Sequence, residues 1–222
     1  MAFGPRMQLD VGDLKIELAP LSQEVLSEFV SPGLQQASVT KYLNSTTAPV
    51  LEDEHEWFEK TRLAEDTITW GIYVRDGEKR LLIGNTSLTD ITKGHTIQAV
   101  SGSMIFRKDY WGKGIASTIH KARTWYVFDQ LGFTRVKSAV IHGNVASRKA
   151  LEKSGYRLVY VERNTAFIDG QLRHQDNLEC INPSQTAWSL WWGHDTPPTD
   201  AVDARNCTLD AMAWAKEHVT LL

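Results

Sequence analysis

Apolar and polar side chains alternate along LKIELAP (Leu14–Pro20), which reads as a strand closed by its proline. Ser22 can cap a short helix, QEVLSEFV, that stops before Ser31-Pro32-Gly33. Leu51–Glu65 reads as a second helix, because its acidic first turn and later basic residues suit the helix dipole. Strand patterning then takes over. Thr69–Arg75 and Arg80–Ile91 flank Asp76-Gly77, a hairpin signal, and Lys93-Gly94 leads into a third strand, His95–Phe106. A helix opened by Gly112 and Gly114 runs to Leu131 and stops at Gly132. Its Ile115, Ile119, Ala122 and Tyr126 recur at helical spacing, so one face is core. Arg135–His142 is a strand, Asn144–Gly155 a helix, and YRLVYVER and HQDNLECI two final strands. The order β-αα-βββ-α-β-α-ββ predicts an α/β (α+β) fold. Its sheet is mixed and mostly antiparallel, has six to seven strands, and is flanked by helices.

Composition narrows the partners. A net charge of −3 over 222 residues gives no electrostatic case for nucleic acid. No apolar run approaches the roughly 18 residues of a membrane span, and the first residues lack a basic-then-apolar leader pattern. Cys180 and Cys207 cannot make a disulfide framework, so two reduced thiols in a cytoplasmic protein are expected. The charge is unevenly placed. Asp195, Asp200, Asp203, Asp210 and Glu217 face only Arg205 and Lys216 beyond residue 182, so this tail carries the whole −3. The tail also holds Trp188, Trp191, Trp192 and Trp214, half of the 8 tryptophans. The shift predicts a domain over 1–182 and an extension over 183–222 with a terminal helix from Thr208 to His218. That helix is expected to turn Leu209, Met212 and Ala213 to apolar surface. Trp188, Trp191 and Trp192 are expected to be mostly buried, on the domain's own sheet, over an acceptor cleft, or in a homodimer seam.

The chemistry gathers at DYWGKGIAS (Asp109–Ser117). Glycine weakens the first turn of a helix, so two of them at a helix mouth suggest a backbone that something approaches closely. The first turn offers unpaired N–H groups and a partial positive charge, and a pyrophosphate fits there. The loop is neither GxxxxGK[ST] nor GxGxxG, since Ser117 stands where the third glycine would be. On its own it also reads as a plain turn before a helix. Asn144, thirty residues beyond Gly114, follows a strand and opens a helix; alone, it reads as an N-cap.

Taken together, WGKGIAS and HGNVASRKALEKSGY resemble the GNAT superfamily of acyl-CoA-dependent N-acetyltransferases. The wording NxxSxxxxEKxGY is similar to the branch containing the ribosomal-protein N-terminal acetyltransferases. LKIELAPLSQEVLSEFV and VTKYLNS resemble that branch's opening, and the resemblance covers about residues 12–181. It implies acetyl-CoA as the acyl donor, an amine acceptor and no metal. The implied donor-binding residues are Ile105, Phe106, Arg107, Gly112, Lys113, Gly114, Ile115 and Ala116, with Asn144, Ser147 and Arg148. A backbone N–H near Ile105 or Phe106 is implied to polarise the thioester carbonyl.

The chain departs from the family pattern at several points. Asp109 stands where the loop motif usually starts with glutamine or arginine, and its side chain is expected to point away. The position of the tyrosine that protonates the leaving thiolate is Leu151, and Ser147 is the implied substitute acid. The strand His95–Phe106 contains no glutamate to act as base. His142, His95, Asp90 and Glu162 are the remaining candidates, with His142 foremost because it lies two residues before Asn144. Glu54-His55-Glu56 reads as a solvated face, and His174, His194 and His218 have no partner at metal-ligand spacing. The alternative is a catalytically degenerate acyl-CoA-binding or regulatory protein of the same fold. A protein N-terminus, a polyamine, an aminoglycoside and an amino acid all stay open as acceptors.

Overall fold

The structure, a computed structural model, describes residues 2–43, 45 and 47–222; Asn44 of the VTKYLNS stretch lies outside the described residues. In chain order the elements begin with β1 (Met7–Val11), β2 (Leu14–Ala19), α1 (Leu26–Glu28), α2 (Ala37–Thr40) and α3 (Leu51–Leu63). Next come β3 (Ile68–Asp76), β4 (Lys79–Lys93), β5 (Ile97–Ile105), α4 (Ile115–Trp125), β6 (Arg135–Ile141) and α5 (Val145–Glu152). The last are β7 (Arg157–Ile168), β8 (Gln171–Ile181), α6 (Gln185–Trp192), α7 (Thr199–His218) and β9 (Thr220–Leu221). The fold is α/β, with mixed, mostly antiparallel strands and flanking helices. Nine strands form among the described residues, against the six to seven expected. The two additions are β1 and β9. MQLDV is too short to show a convincing alternation, and the two residues of β9 are defined only by their partner.

The chain divides into two compact units. The first comprises Met1–Asp90, Ser101–Ile115 and Val219–Leu222; the second comprises Ile91–Val100 and Ala116–His218. In the first unit β9, β1, β2, β3 and β4 pair antiparallel in that order, and Met7 stands opposite both Leu18 and Leu221. Its core joins Leu26 and Phe29 with Phe58 of α3 and Phe106, and the Phe29 and Phe106 ring centroids are 5.4 Å apart. The expected Ser22 cap does not form. The chain after Ser22 makes a 3₁₀ turn, and the serine side chain accepts no helix N–H. Glu17 is fully buried and accepts from Arg6 at 2.6 Å, Gln8 at 3.3 Å and Arg80 at 3.3 Å. Burial pushes its carboxyl upward, but these hydrogen bonds and the Arg6 charge outweigh it, so the pKa lies below the usual value.

In the second unit the first half of β5 pairs parallel with β6, and β6 and β7 both pair antiparallel with β8. Ile119 and Ala122 of α4 are fully buried, as their spacing predicts. The tail packs on this unit. Trp188 lies against Ile181 and Ala201, with Trp191 and Trp192 half-buried beside them. Three guanidiniums cover the indoles: Arg205 over Trp188 at 4.7 Å, Arg135 over Trp191 at 4.7 Å and Arg157 over Trp192 at 5.6 Å. Each such contact contributes about 0.5–2 kcal/mol.

The long helix α7 begins at Thr199 rather than Thr208, and its inward face differs from the expected one. Ala201, Thr208, Ala211 and Ala215 are buried, whereas Leu209 and Ala213 are exposed. Close approach decides this. A Cβ on Gly155 would lie 1.9 Å from Thr208 Oγ1, so the glycine and the small helix residues fit one another and a leucine would not.

Candidate active site

The loop Arg107–Gly114 belongs to the first unit. After β5 the chain makes one 3₁₀ turn over Lys108–Tyr110 and enters α4 through Gly112 and Gly114, at φ +73° and +83°. Both values lie in the left-handed region, where any other residue type is strained, so the glycines are needed for conformation. A Cβ at Gly112 would meet nothing within 4 Å, and one at Gly114 only Val11 at 3.9 Å. Residues 111–114, ahead of the eleven-residue helix, are exposed. Trp111 pins the loop by donating from Nε1 to Ile105 O at 2.7 Å.

The side chains of this loop have the following partners and exposure. Arg107 donates to Glu28 at 2.5 Å and to Leu82 O at 2.8 Å, so its charge is held inside the unit. Lys113 is exposed, with its ammonium 5.2 Å from the Tyr110 ring. Asp109 is exposed in the turn. Phe106 is fully buried, and its N–H donates to Ile83 O at 2.9 Å, so that N–H is already engaged. Ile105 is half-buried and Ile115 is buried at the helix start.

The second unit holds the other candidates. Ala116 continues α4. Asn144 caps α5: its Oδ1 accepts the Ser147 N–H at 3.3 Å. Such a cap contributes about 1 kcal/mol. Ser147 is half-buried in the first turn, and Leu151 is buried as a core residue. His142 follows β6. Its Nε2 lies 2.7 Å from Asp176 Oδ1, and Arg148 donates to Asp176 Oδ2 at 2.6 Å and to Glu152 at 2.7 Å.

The other base candidates, Asp90, His95 and Glu162, are all exposed, and Glu162 stands opposite Gln175 in the β7–β8 pairing, beside the Val161–Asp176 pair. His120 is unsuited to base work. Burial, then the Arg123 charge, pushes its pKa well below the usual value. Asp176 was missed from sequence. Its neighbours in HQDNLECI give no sign that β8 lies beside β6 with Val140 opposite Asp176. No group of three or more His, Cys, Asp or Glu side chains able to hold a metal occurs among the described residues. No described helix is long and apolar enough to cross a membrane.

The profile of the Acetyltransferase (GNAT) domain matches residues 15–157. The chain belongs to the GNAT acetyltransferase family. Within the family it is 29% identical over 114 residues to "Probable N-acetyltransferase YjcK" of Bacillus subtilis (strain 168), a match spanning 51% of this chain and 61% of that protein. Solved GNAT structures share the fold at lower identity. Mycobacterium smegmatis RimJ, in complex with CoA-disulfide, superposes with a TM-score of 0.70 at 15% identity, covering 98% of this chain and 95% of RimJ. Spermidine N-acetyltransferase from Vibrio cholerae, in complex with CoA and spermine, gives 0.67 at 18% identity, covering 75% of this chain and 95% of the other.

Proposed function

We propose that this GNAT protein transfers the acetyl group of acetyl-CoA to a primary amine. The observation that carries the reading is the pair of left-handed glycines opening α4 onto exposed backbone. A pyrophosphate fits such a place, because the positive end of the helix dipole favours an anion and no Cβ stands in the way. The YjcK relative and the two CoA complexes support acetyl transfer from this thioester. A small polyamine and a protein N-terminus are the acceptor classes we favour, the first because spermine occupies the Vibrio cholerae relative.

The reaction asks little of the protein. A neutral amine attacks the thioester carbonyl carbon. The C–N bond forms, the C–S bond breaks, the amine gives up a proton and the thiolate gains one. We assign the first proton transfer to His142 and the second to Ser147. Holding the two substrates together supplies much of the rate.

The second reading is a degenerate acyl-CoA-binding protein. It is favoured by Leu151, whose side chain is committed to the core where a tyrosine would serve as acid. Acetyl-CoA is incubated with the protein and a panel of polyamines and peptides, and products are weighed by mass spectrometry. An acetylated amine with multiple turnovers is expected. Acetyl-CoA binding without any acetylated product would select the second reading. A homodimer through the extension also belongs to this proposal, with Leu190 as a contact because it is 78% exposed. Gel filtration of Leu190→Asp at the wild-type monomer–dimer concentration tests it.

A further inference from the structure

Building on the reading of His142 as the base, we propose that Asp176 is its positioning residue. The Asp176 carboxylate fixes the imidazole tautomer so that Nδ1 faces its proton-accepting task, and it balances the imidazolium that forms.

The geometry is specific. An ionised carboxylate only accepts hydrogen bonds, so the 2.7 Å contact between Nε2 and Asp176 Oδ1 puts the imidazole proton on Nε2. The lone pair of the neutral ring is then on Nδ1, for which the structure shows no partner among the described residues. The pair is held by strand register. β6 and β8 run antiparallel with Ile141 opposite Gln175, and the His142 N–H donates to His174 O at 2.8 Å. The ring is braced from the side as well. The His174 ring meets it edge-on, centroids 5.3 Å apart, and His174 Nδ1 accepts the Asn164 N–H at 3.1 Å.

The charges around the pair suit the task. Arg148 is shared between Asp176 and Glu152. Arg148 is divided between two carboxylates, so it does not neutralise Asp176 alone, and an imidazolium on His142 would share that charge. When the amine nitrogen bonds to the acetyl carbon, its surplus proton moves to Nδ1. The electron pair of the broken C–S bond leaves with sulfur, which takes up a proton in turn. The His142 proton then returns to water, so the reaction balances without a further reactant.

The test compares His142→Ala, Asp176→Asn and the double variant in acetylation kinetics, with acetyl-CoA affinity and melting measured alongside. His142→Ala should lower kcat by about a hundredfold. Asp176→Asn should lower it by about tenfold, with acetyl-CoA affinity unchanged. The double variant should be no slower than His142→Ala, because a residue acting through His142 has nothing left to position. Full kcat in His142→Ala would remove the base reading and this proposal with it. A slow His142→Ala alongside a wild-type Asp176→Asn, or a double variant slower by the product of the two effects, would overturn the role of Asp176 alone. Nitrogen NMR of the wild-type imidazoles needs no variant. A neutral His142 carrying its proton on Nε2 is expected, and a proton on Nδ1 would overturn the proposal even if Asp176→Asn failed to fold.

Discussion

The Arg107–Gly114 loop and the cluster around His142 place their chemistry by opposite means. In the loop the groups we propose to bind the donor are backbone N–H groups, and the side chains around them are engaged elsewhere: Arg107 with Glu28, Trp111 with Ile105 O. In the cluster the useful groups are side chains, and the backbone serves to hold β6 and β8 in register. A backbone site depends on φ at two positions and tolerates an aspartate such as Asp109 nearby. A side-chain site depends on the identity of each residue, and a slip of one position would turn Asp176 to the other face of its strand.

Three substitutions or treatments probe that contrast. The largest effect is expected on the side-chain side. Ser147→Ala should lower kcat by about a hundredfold if its hydroxyl protonates the thiolate, while acetyl-CoA affinity stays close to wild type. Loss of affinity at constant kcat would make Ser147 a binding residue and undo the contrast. The next effect is on the backbone side. Gly114→Val should weaken CoA binding at least tenfold, about 1.4 kcal/mol. Gly77→Val is the control: Gly77 has a similar φ of +60° in the β3–β4 hairpin, so it carries the same strain without the ligand. Calorimetry giving equal CoA affinity for the Gly114 and Gly77 variants would show strain alone.

The smallest effect uses the buried end of β8. Burial, opposed by the Thr208 hydrogen bond and the Arg123 charge, pushes the Cys180 thiol up to about 12. A thiolate-seeking reagent at neutral pH should therefore label Cys207, which is exposed, and spare Cys180 until the protein unfolds. The folded state keeps the proton longer than the unfolded thiol, whose ordinary value is 9.0, so this contribution to stability is full below about 9 and fades as pH rises toward 12. Rapid labelling of two thiols in the folded protein would contradict the burial of this strand end.

Periodicity made most of the fold legible. The α4 face of Ile119 and Ala122, the hairpin at Asp76-Gly77 and the Asn144 cap were all visible because each is written in residues close along the chain. The left-handed turn at Gly112 and Gly114 was visible for the same reason, since glycine is the signature of such a φ. Asp176 was hidden, because its partner His142 lies thirty-four positions away and a strand pairing joins them. Apolarity alone points to the wrong face of α7. Gly155 asked for small side chains, and Thr208 and Ala211 answer that while Leu209 points to water. The roles of Arg107 and Arg148 were obscured by the same limit: a sequence shows the charge and not the carboxylate that takes it.

The two-residue strand β9 has a consequence for synthesis. Translation makes β1 long before Thr220–Leu221, yet Met7 and Gln8 pair with them, and the Leu222 N–H donates to Arg6 O at 3.0 Å. Until Thr220–Leu221 are made, the outer edge of β1 therefore carries unpaired backbone groups, the kind of edge on which nascent chains aggregate. The alternating Gln8 and Asp10 between Met7, Leu9 and Val11 keep that edge partly polar while it waits. Thr220–Leu221 close it, and the first unit gains this strand only when the whole of the second has been made.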